Sequence, residues 1–156
     1  VVDNIKAVNT VKVDGNNVLL SNTDVDGINQ TFEFINFDIN DKHVLIFGSG
    51  GSAQTAKYTL SENNEVYIVS RNKRDGDLTY AELNEIAGDV EVIINTTPLG
   101  MPPYENEKLP ISNLNLSKLE LFYNLGYGVS KKLTNEHPKN VKSIDGTVML
   151  IAQEIS

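Results

Sequence analysis

The chain has 156 residues and a formal net charge of -8, with 13 Lys and Arg against 21 Asp and Glu, two His and no Cys. That length suits one domain with a real core, the acidic balance disfavours wrapping nucleic acid or an anionic membrane, and the lack of Cys removes disulfide and thiolate chemistry. His43 and His137 lie too far apart in sequence to suggest a metal cluster, no apolar run approaches the roughly 20 residues that span a bilayer, and no signal-peptide pattern opens the chain, so a cytoplasmic protein without a structural metal is expected.

In chain order, Val1-Val2-Asp3-Asn4-Ile5-Lys6 opens without Met and reads as the interior of a longer protein. Asn9 to Val13 and Val18 to Leu20 are short β-type runs around Asp14-Gly15-Asn16-Asn17, which predicts a hairpin. Asp24 and Asp26 follow as candidate helix N-caps, and Ile28, Phe32 and Ile35 recur at spacings of four and three, the mark of an amphipathic helix. His43 to Phe47 is an apolar strand, with a helix expected from about Gly51 to Glu62. Next come a strand at Glu65 to Val69, a helix around Tyr80 to Ala87, and Val92-Ile93-Ile94-Asn95, whose unbroken apolar run suits a strand covered on both faces. Pro98, Pro102 and Pro103 cannot continue a central strand, so a long surface loop begins at Thr96. Leu119 to Tyr123 is the following strand, then a helix near Ser130 to Glu136, a short Ser143-Ile144 piece, and a terminal helix that reaches Ile155 without a cap. Strands alternating with helical segments predict an α/β fold with a mostly parallel sheet and right-handed crossovers.

The junction Val44-Leu45-Ile46-Phe47-Gly48-Ser49-Gly50-Gly51-Ser52-Ala53 carries the pattern G-x-G-x-x-G/A between a strand and a helix. Gly48 permits a tight turn, Gly50 lets backbone approach a pyrophosphate, and Ala53 allows close strand–helix packing. The helix start adds free N–H groups and the positive end of a dipole. A ligand-free tight turn is the plainer alternative. Together with the strand and helix pattern, the motif predicts a Rossmann-like, doubly wound sheet with helices on both faces. The whole of 1–156 then forms one nucleotide-binding domain, in which 1–25 is a hairpin and hinge and 26–156 is the core with its terminal helix.

An acidic residue that reads an adenine ribose belongs about 20 residues further on. The strand ending at Val69 leads instead into Ser70-Arg71-Asn72-Lys73-Arg74, a hydroxyl and three cations. A carboxylate there would repel a 2′-phosphate, whereas arginine grips it through parallel charge-assisted hydrogen bonds. The expected cofactor is therefore NADP rather than NAD, with a solvated basic loop as the bland alternative.

Three further motifs fall in order around the glycine turn: Ala7-Val8-Asn9-Thr10 and Asn22-Thr23-Asp24 before it, and Asn95-Thr96-Thr97-Pro98-Leu99-Gly100-Met101 after it. Phe122-Tyr123-Asn124 and Asp145-Gly146-Thr147-Val148-Met149-Leu150-Ile151-Ala152-Gln153 continue the series to the end of the chain. Over essentially its whole length the chain resembles shikimate dehydrogenase. The resemblance implies a two-domain enzyme that reduces 3-dehydroshikimate to shikimate with NADPH in aromatic amino-acid biosynthesis. This chain would be its cofactor-binding half. Its partner would be an amino-terminal domain carrying serines for the substrate carboxylate and the lysine of a catalytic Lys–Asp pair.

The resemblance implies that Asp24 is the aspartate of that pair and that Asn9, Asp24, Tyr123 and Gln153 reach the substrate. Cofactor contacts are implied for Gly48, Ser49, Gly50, Gly51, Ser52 and Ala53 at the turn and for Ser70, Arg71, Asn72 and Arg74 beyond the second strand. Thr96, Thr97, Leu99 and Met149 complete the set, the first three in a loop that leaves the carboxyl end of a strand, where open α/β sheets place ligands. Asp24 alone has no proton to give at neutral pH, because an unperturbed aspartate titrates near roughly 4. The isolated chain is therefore expected to bind NADP(H) with negligible turnover.

Structural alternatives stand beside these roles. Asp24 fits a helix cap, Asn9 a strand-edge residue satisfying its own turn, Tyr123 a core aromatic with its hydroxyl at the surface, and Gln153 an ordinary helix residue. Departures from the family pattern are Val25 where glycine usually follows the Asn-Thr-Asp triplet, Ser49 and Ser52 where alanine is common, and Ser70-Arg71-Asn72 for the usual Asn-Arg-Thr. Two other functions stay open: a quinate and shikimate dehydrogenase of broader specificity, and a non-catalytic NADP(H)-binding module.

Overall fold

The computed structural model describes residues 8–127, 138 and 140–155, with the side chains of 153–155 excepted. The hairpin comes first. Strands β1 (Thr10–Asp14) and β2 (Asn17–Ser21) pair antiparallel with Asp14 opposite Asn17. Only Gly15 and Asn16 remain for the turn, and Gly15 takes the positive φ of 59° that such a turn requires. One face of this ribbon carries Val11, Val13, Val18 and Leu20, each at least half exposed.

Helix α1 (Asp24–Phe34) buries Ile28 and Phe32 and stops at a defined signal. Asn36 adopts φ 52°. Its N–H bonds to Glu33 O and the N–H of Phe37 to Phe32 O, both at 3.0 Å, while the Phe32 and Phe37 rings lie 6.2 Å apart. This is the Schellman arrangement with its apolar contact, built on asparagine in place of glycine. Asp24 is the first helical residue, preceded by Thr23, and its carboxylate accepts a bond from Asn9 Nδ2 at 2.8 Å. Neither Asp24 nor Asp26 is the cap, so that expectation is corrected.

The main sheet has six parallel strands in the order β5-β4-β3-β6-β7-β8. They are β3 (His43–Phe47), β4 (Glu65–Ser70), β5 (Leu78–Thr79), β6 (Val92–Asn95), β7 (Leu121–Asn124) and β8 (Lys142–Ile144). The chain winds outward from β3 to β5, then returns to continue from β6 to β8, which is the doubly wound, Rossmann-type order. Helices α2 (Gly51–Leu60), α3 (Leu83–Ile86) and α4 (Gly146–Ile155) complete the elements, with short 3-10 turns at Lys73–Asp75, Tyr80–Glu82 and Ala87–Asp89. The helix expected near Ser130 to Glu136 falls on residues outside those described.

Alternation along the strands divides the core. Val44 and Ile46, Val92 and Ile94, Leu121 and Tyr123 face the layer of α1, α2 and α4, where Ile28, Phe32, Ala53, Ala56 and Met149 meet them. Leu45, Phe47, Ile93 and Phe122 face the opposite side. That side is covered by more than helix. Besides Leu83 of α3, it is filled by Leu109, Ile111, Leu116 and Leu119 from the stretch between β6 and β7. What reads as a polar, proline-rich loop is thus in its second half a structural layer. Burying each such side chain contributes about 2 kcal/mol, enough to offset ordering of an irregular backbone. Sequence reading also passed over β5, whose two residues are too few to show a period. Among the described residues no helix is long and apolar enough to cross a membrane.

At the amino ends of the strands, Glu91 ties three of them together. Its carboxylate accepts His43 N–H at 3.0 Å and Lys42 Nζ at 3.4 Å, while Lys42 also reaches Glu120 at 3.0 Å. The His43 N–H, opposed by partial burial and assisted by Lys42, holds the Glu91 carboxyl below its ordinary 4.5. A depressed carboxyl stabilises the fold above its unfolded pKa and loses that contribution as pH falls through the folded value. Glu91→Gln should therefore cost about 1 kcal/mol in urea unfolding at neutral pH and almost nothing at about pH 3. An equal cost at both pH values would show that the charge of Glu91 contributes nothing.

Candidate dinucleotide and substrate site

The order reverses between β3 and β6, and the carboxyl ends of those strands open the crevice where α/β sheets of this kind take ligands. Gly48 follows β3 directly, with φ 111°. A Cβ there would collide with Thr96 Oγ1, which itself donates to Phe47 O at 2.7 Å. Glycine is required at 48 because the loop after β6 presses against the turn after β3. Gly50 differs: its φ is -75° and a Cβ would meet nothing within 4 Å. Nothing in the protein demands glycine at 50, whereas a ligand seated close to the backbone would.

Helix α2 begins at Gly51 with no side-chain cap and no acidic residue in its first turn. Its first intrahelical bond runs from Gln54 N to Gly50 O at 3.1 Å, leaving the N–H groups of Gly51, Ser52 and Ala53 ahead of the ladder. Gly50, Gly51 and Ser52 are exposed, while Ala53 is buried against the sheet. Such a helix start suits a diphosphate through its amides and dipole.

Beyond β4, Ser70 shapes the next loop. Its hydroxyl donates to Asn72 O at 2.5 Å and accepts from Asn72 N at 3.3 Å. The three cations then divide. Lys73 Nζ is held by Glu82 at 2.7 Å, and Glu82 also accepts the N–H and hydroxyl of Thr79. The Lys73 ammonium, followed by the Thr79 donors, brings the Glu82 carboxyl down to about 2. Arg71 and Arg74 are exposed and enter no ion pair among the described residues. They are the two cations left for an anion.

A cavity of about 360 Å³ adjoins the turn. It gathers Asp24 from the start of α1, Ser52 from α2, Thr96 and Thr97 after β6, and Met149 from α4. Sequence reading missed its other walls, Pro98, Met101, Leu125, Gly126, Tyr127, Gly146 and Leu150. Pro98, Met101, Gly146 and Leu150 fall within the quoted motifs, and Gly146 adds the signal of a glycine at the first position of a helix. A Cβ there would run into the carbonyl of Leu125.

The walls are set by amides at the strand ends. Asn95, buried, donates to Asn124 Oδ1 at 2.9 Å and accepts both Thr97 N at 3.0 Å and Thr97 Oγ1 at 2.6 Å. The pairing ties the loops after β6 and β7 to each other, and the Nδ2 of Asn124 is left buried without a hydrogen-bond partner. Burial pushes the Asp24 carboxyl above its ordinary 3.8, and the Asn9 hydrogen bond pulls it part of the way back.

Two candidates stand apart from the cavity. Tyr123 is fully covered, its ring edge-on to Phe32 at 6.1 Å, and its hydroxyl pairs with Thr31 Oγ1 at 3.3 Å instead of lying at the surface. Burial, with the Thr31 bond opposing it, pushes that phenol up to about 12. Leu99 is half buried and packs into the core on the far side of the sheet. Gln153 belongs to α4, and its side chain lies outside the described residues. Asn9, by contrast, is bonded directly to Asp24.

The two glycines give separable outcomes. Gly48→Ala should cost about 2 kcal/mol or more in urea unfolding, from strained φ and the collision with Thr96. Gly50→Ala should cost less than about 1 kcal/mol, the difference between two weak caps. Equal losses would remove the steric explanation for Gly48.

No protein-family model matches the chain. It is similar to the shikimate dehydrogenase (NADP(+)) of Methanococcus aeolicus, with 34% identity over 168 residues covering 96% of this chain and 60% of the relative. A solved chorismate mutase/shikimate 5-dehydrogenase fusion protein from Clostridium acetobutylicum matches 98% of this chain with 58% of its own, at 30% identity and a TM-score of 0.82. A shikimate dehydrogenase solved in complex with NADP+ matches 97% of this chain with 60% of its own, at 26% identity and a TM-score of 0.77. The chain spans about 60% of the length of the relatives it matches. Sequence and backbone agree over nearly all of it: the chain belongs to the shikimate dehydrogenase family.

Proposed function

We propose that this chain is the NADP-binding half of a cytoplasmic shikimate dehydrogenase that reduces 3-dehydroshikimate to shikimate, with residues 1–25 as the hinge that carries substrate-side groups. The observation that carries this reading is one crevice in which an uncapped helix start and Gly50, a glycine with no steric need in the protein, adjoin the cavity lined by Asp24. A relative named for NADP(+) and a related structure bound to NADP+ support the choice of cofactor.

In this reading the amides of Gly48, Ser49, Gly50, Gly51, Ser52 and Ala53 cradle the diphosphate. Arg71 and Arg74 hold the 2′-phosphate on a loop shaped by Ser70 and Asn72. Thr96, Thr97 and Met149 border the nicotinamide, and Leu99 anchors their loop from beneath. Bound NADPH supplies the hydride, from nicotinamide C4. Asn9 and Asp24 face the substrate hydroxyls, and the Asp24 carboxylate holds an ammonium donated by the rest of the protein. That ammonium is the proton source for the new alkoxide. Gln153 completes the substrate side from α4, while Tyr123, covered beneath it, supports that side from β7. The described residues that line the cavity include no lysine or histidine, and in this reading the second domain supplies the ammonium. The exposed apolar face of the hairpin, Val11, Val13, Val18 and Leu20, is where that domain packs.

Titration calorimetry with NADP+ and NAD+ tests the phosphate grip. Exchanging both Arg71 and Arg74 for Ala should weaken NADP+ by more than about tenfold while NAD+ changes little, because charge-assisted bonds to the extra phosphate are lost. Equal weakening of both cofactors would remove the 2′-phosphate explanation. The purified chain should also show no measurable reduction of 3-dehydroshikimate; turnover by this chain alone would defeat the half-site reading.

A further inference from the structure

We propose that Thr55, acting through Asn22, is a positioning residue that ties Asp24 to the first turn of α2, so that filling the phosphate turn is felt at the carboxylate and its Asn9 partner; this rests on the reading of that turn as a diphosphate site. Asn22 and Thr55 are buried polar residues, 7% and 1% exposed, on elements far apart in sequence. Burying such groups is costly without hydrogen bonds, and here the bonds form a directed series. Asn22 Oδ1 accepts Asp24 N at 3.0 Å, and Asn22 Nδ2 donates to Thr55 Oγ1 at 2.9 Å. Thr55 Oγ1 donates in turn to Gly51 O at 3.0 Å. A hydroxyl has one hydrogen, so donation to Gly51 leaves the Thr55 oxygen as the acceptor for Asn22.

At the other end, the Asp24 carboxylate takes Asn9 Nδ2 at 2.8 Å, and Asn9 Oδ1 accepts Thr23 N at 2.9 Å and Thr10 Oγ1 at 3.1 Å. Hairpin, hinge and helix are therefore joined through Asn9, Asp24, Asn22, Thr55 and Gly51. Gly51 O shares its peptide unit with the N–H of Ser52, one of the free amides of the proposed phosphate site, so a ligand that polarises or shifts that peptide acts on one end of the series. A threonine that bonds back to the carbonyl four residues earlier is ordinary in helices. Thr59 does so to Thr55 O at 2.8 Å. Thr55 differs in receiving a second bond from another element, which makes Thr59 an internal control.

The test is two-dimensional NMR of the ¹⁵N-labelled chain titrated with 2′,5′-ADP, which fills the phosphate positions but carries no nicotinamide ring to place beside Asp24. In the wild type, the backbone amides of Gly50 and Gly51 and the side-chain amides of Asn22 and Asn9 should all shift. In Thr55→Val the glycine amides should still shift while the Asn9 shift is lost. Thr55→Ala should behave as the valine variant does and guards against misfit of the larger side chain. Thr55→Ser should restore the response, and Thr59→Val should leave it intact. A still Asn9 resonance in the wild type while Gly51 moves, or an unchanged Asn9 shift in both Thr55→Val and Thr55→Ala, overturns the proposal. If the Gly50 and Gly51 amides themselves do not respond, the diphosphate reading fails, and the inference fails with it.

Discussion

The contact on which the site depends is the one between the end of β3 and the loop that leaves β6. Phe47 is fully buried and lies opposite Asn95 on one side and Val69 on the other, so the end of β3 cannot move without disturbing the centre of the sheet. Thr96 then presses into the space that a side chain at Gly48 would fill and bonds back to Phe47 O. With both chains pinned, α2 has one way to leave the sheet, and its first turn points into the crevice where the strand order reverses. The positions of Ser52, Thr96 and Thr97 around one cavity follow from this approach.

Polar side chains at the ends of strands hold the remaining walls. A parallel sheet buried on both faces leaves its terminal amides in a dry setting, where an unpaired group costs about 1–3 kcal/mol. Asn95 answers this after β6, where its Oδ1 accepts the N–H of Thr97. At the edge, Asp77 accepts Ile68 N–H at 2.7 Å and is itself held by Lys57 at 2.6 Å. Ser70 closes its own loop on Asn72. These short-range bonds convert loops into fixed surfaces, which a binding site needs if ligand affinity is not to be spent on ordering.

Charge is distributed in the same sense. A chain with a net charge of -8 repels anions at long range, so an anion site has to be made locally from backbone amides and unengaged cations. The first turn of α2 lacks acidic residues, and of the three cations after β4 only Lys73 is taken up by a carboxylate among the described residues. At the opposite end of the sheet, Lys42 and Lys118 are paired with Glu91, Glu120 and Asp89, where they support the fold.

The hairpin, α1 and the strands at His43, Glu65 and Val92 were legible from the amino-acid order because each is written in a local rule: a two-residue turn with glycine, apolar residues on one helical stripe, or an unbroken apolar run. The glycine turn and the cation loop were legible for the same reason, since their residue types are constrained by neighbours within a few positions, whereas the Asn-Thr-Asp triplet was legible only through the family resemblance. Other features were not. Leu109, Ile111, Leu116 and Leu119 became core only because an irregular segment lies across the sheet, and Tyr123 went beneath α1 because alternation along β7 turns it to that face. The division of Lys73 from Arg71 and Arg74, and the joining of Asn22 to Thr55, depend on side chains brought together from distant parts of the chain. Local order determines which elements form and which chemistry they carry; the tertiary structure alone decides which groups are spent on one another and which remain for a ligand, because hydrogen bonds and burial are settled by proximity in space.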